Sequence, residues 1–245
     1  MPEQDTPVET APMLPARIEQ NSDVAFSSAE FPEQLQIIAP RLDARLRADA
    51  RADFDMIELE AQTYKDADPD YFMPYGLGHT WTLLGAAGDL VSLHGLSYYN
   101  TGGAHPNYST SGLIYDRSNG QVVDVLDLFS GREAAIARLV PLVRAEIVAE
   151  KQNRYAASGM SDADIAADVE AGLPDSGLWL TQAALTASTE GDVFGGLEVY
   201  FSPYELGSYA EGAYEAGVSQ AAFRDLLKPE YRTLFAGEPA GRAQN

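Results

Sequence analysis

The chain has 245 residues, of which 45% are hydrophobic and 10% aromatic, a composition that is ordinary for a globular protein with a buried core. Its 37 acidic residues against 16 Lys and Arg give a formal net charge of −21, which would repel the phosphates of DNA or RNA and attract a cationic partner. The alternative interpretation is that this charge only keeps the protein soluble. It contains no cysteine, so disulfides, thiolate metal sites and cysteine nucleophiles are excluded.

Residues 1–17 are rich in Pro, Glu and Thr and poor in core-forming side chains, so they predict a disordered tether. They lack the positive region and apolar run of a signal peptide, and no run of about 18 apolar residues predicts a transmembrane segment. Such a tether is typical of the segment that follows a removed signal or lipid-anchor sequence. The alternative is that Met1 is a cloning start.

The next region is predicted to be a strand followed by helices. Residues 18–30 form the first strand, and the hydrophobic spacing after it is helical. Pro40 is expected to divide this helical stretch into a short piece and a long helix over residues 41–65. The acidic loop at 66–70 resembles the opening of a calcium loop but lacks the Gly and Glu that such a loop needs.

Three hairpins are predicted from runs of strand-forming residues separated by turn signals. Their strands are residues 79–85 with 89–99, 108–116 with 121–125, and 178–188 with 193–201. Asn119-Gly120 is the strongest of the turn signals. Helices are predicted over 132–155 and after Ser161, where Asp164 completes a capping arrangement.

The C-terminal part is predicted to contain a strand at 213–218, a helix at 219–227 and an unstructured end from Gly237. Because strands occur mostly as hairpins and helices in separate blocks, the pattern predicts an α+β fold with mainly antiparallel sheets and packed helices. We expect two closely associated subdomains. The tether over 1–17 precedes them, they cover residues 18–97 and 98–228, and a tail over 229–245 follows them.

His105 is the histidine with the strongest claim to a special role. It lies in Thr-Gly-Gly-Ala-His-Pro-Asn, where two glycines allow the loop to fold back tightly. We interpret its imidazole as a structural tie to the loop backbone, with general-base catalysis as the alternative. His94, inside a predicted strand, is interpreted as a satisfied sheet residue. The common zinc, nucleophile-elbow and nucleotide-binding motifs are missing, so no catalytic residue, metal ligand or cofactor is assigned.

Two tyrosine-containing loops are the candidate contact surfaces. Tyrosine offers a large contact area at low entropic cost, although inward packing at the sheet edge is an equally good interpretation for the second loop. The candidate binding residues are Tyr98, Tyr99, Asn100, Thr101, His105 and Asn107 in the first loop, and Tyr204, Glu205, Tyr209 and Glu211 in the second.

Several segments together resemble one family. They are Tyr-Tyr-Asn-Thr-Gly-Gly-Ala-His-Pro-Asn at 98–107, Asp-Val-Leu-Asp-Leu-Phe at 124–129, Phe-Ser-Pro-Tyr at 201–204 and Tyr-Ala-Glu-Gly at 209–212. The chain is thereby similar to the paired domain-of-unknown-function family found in the lysozyme-sensing anti-sigma factor RsiV and in the non-catalytic part of the peptidoglycan deacetylase PdaC. The resemblance covers roughly residues 18–228.

The resemblance implies an exported, periplasmic or envelope-associated protein, with membrane anchoring through a removed N-terminal signal. It also implies a non-catalytic binding module for a lysozyme-like cationic protein or for cell-wall glycan. A first alternative is a hydrolase acting on cell-wall polysaccharide, with His105 and Glu205 or Glu211 in its site. A second alternative is an envelope lipoprotein that scaffolds other proteins.

Overall fold

The structure is a computed structural model that describes residues 13–156 and 159–241. It is 39% helical and 31% strand, and the predicted α+β class with mainly antiparallel sheets is confirmed. The strands are β1 Arg17–Asn21, β2 Ala25–Glu30, β3 Tyr75–Ala87, β4 Leu90–Asn100, β5 Asn107–Asp116, β6 Gln121–Val122, β7 Ala183–Ala187, β8 Phe194–Phe201 and β9 Tyr214–Ser219. The helices are α1 Leu35–Ile38, α2 Pro40–Ala67, α3 Arg132–Tyr155, α4 Asp162–Gly172 and α5 Pro229–Arg232.

The first sheet contains six strands in the order β1-β2-β3-β4-β5-β6. Only β2 and β3 are parallel, because α1 and α2 form the crossover between them. The single strand predicted over residues 18–30 is wrong, since the chain reverses between Asn21 and Ala25 and makes β1 and β2 a hairpin. Ser22 stabilises this reversal by accepting a hydrogen bond from the backbone of Ala25 at 3.2 Å.

Helix α2 crosses one face of this sheet diagonally. Its first half packs with Val91, Leu93 and Tyr115 of β4 and β5, and its last half packs with Val24 and Tyr75 beside β2 and β3. The predicted division at Pro40 is confirmed, because the proline sits at the first turn of α2, where its missing N–H costs nothing. The diagonal course leaves the end of β4 near Asn100 and the start of β5 near Asn107 without a helix over them.

The second sheet, β7-β8-β9, packs on the other face of the first sheet, and α3 packs against β9. The two sheets approach to backbone contact, since a Cβ atom on Gly112 would lie 2.3 Å from the carbonyl carbon of Ala183. The helix predicted over 219–227 is wrong: this segment forms two short 3₁₀ turns, Gln220–Ala222 and Arg224–Leu226. The strand predicted from residue 178 begins only at Ala183, after a 3₁₀ turn.

The end of the chain is packed rather than unstructured. Phe235 is fully buried against Phe194, and the backbone of Ala240 donates a hydrogen bond to Ala187 at 2.8 Å. The predicted unstructured end is therefore wrong for residues 237–241, and residues 242–245 lie outside the described part of the chain.

The predicted ends of the tether and of the first subdomain can be placed on the described elements. Arg17, the last residue of the predicted tether, begins β1, and Leu14 exchanges two hydrogen bonds with the side chain of Gln36. Residues 1–12 of the tether lie outside the described part of the chain. The boundary predicted between residues 97 and 98 falls inside β4. In the described ranges, no helix has the length and apolar character needed to cross a membrane.

Candidate functional site

The two predicted contact loops meet at one end of the first sheet. The first connects β4 to β5, and the second connects β8 to β9 and lies along the outer edge of β5. Ser202 accepts a hydrogen bond from the backbone of Thr110 at 3.1 Å, and the backbone of Ala213 donates to the hydroxyl of Tyr108 at 3.0 Å. These bonds attach both ends of the second loop to β5.

His105 joins the two loops at their centre. Its ring stacks on that of Tyr209 with the centroids 4.1 Å apart, and its Nδ1 lies 2.9 Å from the carbonyl oxygen of Pro106. Because a carbonyl oxygen can only accept, Nδ1 is the donor in this contact, and in a neutral imidazole Nε2 is then an acceptor. Nε2 lies 3.4 Å from the hydroxyl of Tyr204, which closes the contact between the loops.

Tyr204 holds an unusual backbone conformation. Its φ is +74°, the only positive value among non-glycine residues in the described ranges, and 57% of its surface is exposed. A left-handed conformation costs a side-chain-bearing residue about 1–2 kcal/mol. Strain of this kind persists where the surrounding structure fixes it, and such positions cluster at functional sites. Tyr204 is thus presented to solvent at a cost in stability.

Further exposed side chains surround this contact. Tyr98 is 42% exposed and lies across Gly76 and Gly78 of β3, on the face of the sheet that carries Tyr108. In the loop before β3, the Cβ atom of Met73 would lie 3.8 Å from a Cβ atom on Gly102. We refer to this group as the aromatic end: Met73, Tyr98, His105, Tyr204 and Tyr209.

Tyr99 and Asn107 lie on the opposite face of the sheet. They pair with each other across β4 and β5, and adjacent strand residues point to opposite faces. The Asn107 amide donates to the Tyr99 hydroxyl at 2.6 Å. Asn100 accepts a hydrogen bond from the backbone of Gly102 and shapes the turn, and Thr101 is exposed beside it. The structure therefore places the neighbours Tyr98 and Tyr99 on opposite faces of the sheet, with Asn107 beside Tyr99.

The two candidate carboxylates stabilise the second loop. Glu205 accepts a hydrogen bond from the backbone of Ser202 at 2.9 Å. Glu211 accepts from the backbone of Ser208 at 2.6 Å and from the hydroxyl of Tyr214 at 2.7 Å. Neither of these carboxylate contacts is directed at His105.

Glu211 also belongs to a charged network around the buried Lys151 that the sequence prediction missed. Lys151 of α3, only 3% exposed, lies 2.5 Å from Asp168 of α4 and 3.5 Å from Glu211. Burial raises the pKa of Glu211, but hydrogen bonds from Tyr214, Ser208 and Tyr155 and the charge of Lys151 outweigh it and bring the pKa to about 2. The signal for Lys151 was its position four residues after Ile147, on the buried face of α3.

The face with Tyr99 contains a second group that the prediction missed. His79 Nδ1 lies 2.8 Å from Ser97 Oγ, and its ring stacks on Phe54 of α2. Its Nε2 lies 3.3 Å from Asp53 Oδ2 but is too poorly aligned for a hydrogen bond. Burial lowers the pKa of His79, and Asp53 raises it by a smaller amount.

Trp81 lies on the same face, at the margin of α2. Its ring covers Gly95 so closely that a Cβ there would lie 2.7 Å from it. Beyond it, Ser97, Ser109 and Ser111 occupy successive positions of β4 and β5 on this face. We refer to Trp81, Ser97, Tyr99, Asn107, Ser109 and Ser111 as the serine face.

His94 and the acidic loop complete the predicted sites. His94 lies 2.5 Å from the hydroxyl of Thr110 and 4.5 Å from the ring of Tyr200, which confirms its interpretation as a satisfied sheet residue. Within residues 13–156 and 159–241, no three His, Asp or Glu side chains are grouped so that they could hold a metal ion.

Comparison with known proteins gives the fold. No family model matches the chain, and no curated protein matches it. A DUF3298 family protein of Pseudomonas aeruginosa is similar in structure, with a TM-score of 0.52 and 20% identity over 94% of this chain and 99% of that one. A member from Bacteroides fragilis has a TM-score of 0.56 and 15% identity over 86% and 91%. This chain has their fold. The resemblance to RsiV and PdaC remains a prediction.

Proposed function

We propose that this chain is a non-catalytic binding module of the cell envelope that recognises a cationic protein, such as a lysozyme, through the aromatic end. The exposed, strained Tyr204 is the observation that carries the proposal. Tyrosines held by stacking and hydrogen bonds lose little entropy on binding, which suits them as anchors of an interface.

Charge supports a cationic partner. The last turn of α2 and the loop before β3 carry Asp66, Asp68 and Asp70 against Lys65, and Glu205 is exposed next to Tyr204. The whole chain, these residues included, has a net charge of −21. Such a surface raises the rate at which a basic protein is encountered, and the effect weakens as salt increases.

The geometry favours binding over the hydrolase alternative. His105 is engaged with Pro106, Tyr204 and Tyr209. The carboxylates of Glu205 and Glu211 contact backbone groups, Gln182, Tyr155, Tyr214 and Lys151 rather than His105. A general base needs a nucleophile at about 2.6–3.2 Å, whereas the hydroxyl that His105 Nε2 faces, that of Tyr204, lies at 3.4 Å.

A titration with hen lysozyme at low and at moderate salt tests the proposal. We expect binding that weakens with salt, and a loss of about tenfold in affinity for Tyr204→Ala. Leu59→Ala, which truncates a 70% exposed side chain on α2, is the control and should bind like the parent. No binding at either salt, or equal loss in both variants, contradicts the proposal.

The serine face favours cell-wall glycan as a second candidate ligand. A flat Trp81 ring beside a row of hydroxyl and amide groups offers both stacking and hydrogen bonds to a sugar. Gly95 and Tyr99 are four residues apart on β4, so the Trp81 ring and Tyr99 stand about 13 Å apart along the strand. This distance spans more than one sugar ring.

Co-sedimentation with purified peptidoglycan tests the glycan proposal. We expect retention of the parent chain and of Tyr204→Ala, and loss of retention for Trp81→Ala. Retention of Trp81→Ala at the parent level contradicts the assignment to the serine face. Because the two ligands are assigned to opposite faces, each variant reports on one proposal only.

A further inference from the structure

A shallow apolar groove runs along α3, apart from the aromatic end and the serine face. It consists of two adjoining hollows of about 590 and about 500 Å³ that share Pro141 and Arg144. The first is lined by Glu133, Ile136, Ala137, Val140, Pro141, Arg144, Asp175 and Ser176. The second is lined by Pro141, Arg144, Ala145, Val148, Ala149, Gln152, Ala166, Val169 and Glu170.

The spacing of the lining residues makes this groove continuous. Positions 133, 137, 141, 144, 148 and 152 recur every three or four residues, so they form one stripe along α3. The stripe covers 20 residues, which is about 30 Å or between five and six helical turns. Ala137, Ala145 and Ala149 are exposed and small, so the side chains of an approaching helix can enter between their neighbours.

Arg144 shapes the middle of the groove without adding a free positive charge. Its Nε and Nη2 donate to the carbonyl oxygen of Leu173, and its Nη1 lies 2.7 Å from Asp175. The remaining charged residues of the lining are Glu133 and Glu170, both exposed. The rim is therefore negative.

Pro141 adds a hydrogen-bond acceptor to the same surface. A proline has no N–H, so the carbonyl of Ala137, one turn earlier, lacks its α-helical donor. Both residues line the groove. A lysine or arginine side chain from a partner can donate to this carbonyl.

We infer that the α3 groove is a docking site for an amphipathic α-helix with a basic polar face, contributed by another protein. The apolar floor and the length of the stripe match one side of such a helix. The acidic rim and the Ala137 carbonyl match its basic residues. The inference is independent of the aromatic end.

The probe is a labelled peptide of about 18 residues with leucines on one helical face and lysines on the other, matched with a peptide that has glutamates instead. Binding is measured by fluorescence anisotropy at low salt. We expect the lysine peptide to bind and the glutamate peptide to bind at least tenfold more weakly. Ala137→Arg and Ala149→Arg should each weaken binding of the lysine peptide at least tenfold.

The control variant is Ala52→Arg, which makes the same charge change at an exposed alanine on α2. It should bind the lysine peptide within about twofold of the parent. Failure of the lysine peptide to bind overturns the inference, as does equal binding of both peptides or an equal loss in all three variants. A dimer in sedimentation equilibrium that Ala137→Arg dissociates also overturns it, because a second copy then occupies the groove.

Discussion

The hydroxyl of Tyr209 donates to the carbonyl oxygen of Pro106 at 2.8 Å, and the same carbonyl lies 2.9 Å from Nδ1 of His105. One backbone acceptor thus holds the two side chains whose rings stack on each other. Residues 106 and 209 are far apart in sequence, so this contact joins the loop after β4 to the loop after β8.

Removal of the Tyr209 hydroxyl tests the strength of this connection. Tyr209→Phe keeps the ring stack but leaves the Pro106 carbonyl with one donor fewer, so we expect a loss of about 1 kcal/mol in the free energy of unfolding. Urea denaturation measures it. Tyr71→Phe, at a side chain that is 80% exposed, is the matched control and should change stability by less than about 0.5 kcal/mol. Equal effects in the two variants would show that the hydrogen bond contributes nothing.

The backbone strain at Tyr204 can be tested by comparing the stabilities of its alanine and glycine variants. Alanine at 204 keeps the Cβ atom that the positive φ disfavours, whereas glycine removes it. We expect Tyr204→Gly to be more stable than Tyr204→Ala by about 1 kcal/mol. At Tyr71, where φ is not positive, the order should be reversed because glycine has more conformational freedom when unfolded. The same order at both sites would contradict the strain.

Protonation of His79 should change the stability of the protein at a higher pH than protonation of the carboxylates. Burial lowers the folded-state pKa of His79, so the unfolded state binds more protons near the unfolded value of about 6.5. Its contribution to stability is therefore lost as the pH falls through that value. His79→Gln should flatten the stability profile between about pH 7 and pH 5. Asp53→Asn, which removes the carboxylate that opposes the shift, should steepen it.

Glu211 should affect the stability of the protein over a lower pH range than His79. Its folded-state pKa of about 2 lies below the ordinary value of 4.5, so its contribution is present above pH 4.5 and is lost as the pH falls toward 2. Glu211→Gln should cost about 2 kcal/mol at neutral pH, because buried Lys151 then keeps only Asp168. Asp168→Asn, at a side chain that is 54% exposed, should cost less than about 1 kcal/mol. Thermal unfolding from pH 7 to pH 3 compares the two.

Local signals account for most of the elements that were predicted correctly. Asn119-Gly120 fixed the turn between β5 and β6, and α3 has the predicted bounds because its apolar residues recur at helical spacing. Ser161 caps α4 and accepts from the backbone of Asp164, as predicted. The β1–β2 hairpin was missed because its reversal at Ser22 contains no glycine or proline.

Which side chains come together in the site could not be predicted from local sequence patterns. That Tyr204 and Tyr209 lie against His105 follows from how β8 and β5 pack, which is a tertiary property. That Tyr98 and Tyr99 point to opposite faces of the sheet could be predicted from strand alternation alone. The diagonal course of α2, which leaves the serine face uncovered, could not be predicted from local patterns.

The close approach of Gly112 to Ala183 has a consequence for how the molecule unfolds. Where two backbones touch, neither sheet can open without breaking the other's packing, and Leu90 of β4 and Ile114 of β5 belong to the same core as β7, β8 and β9. We expect calorimetry to show a single transition with equal van't Hoff and calorimetric enthalpies. A fragment starting at residue 98 would keep most of that core but would lose Ala87, Leu90 and most of β4, the strand that pairs with β5, so we expect it to be less stable than the whole chain.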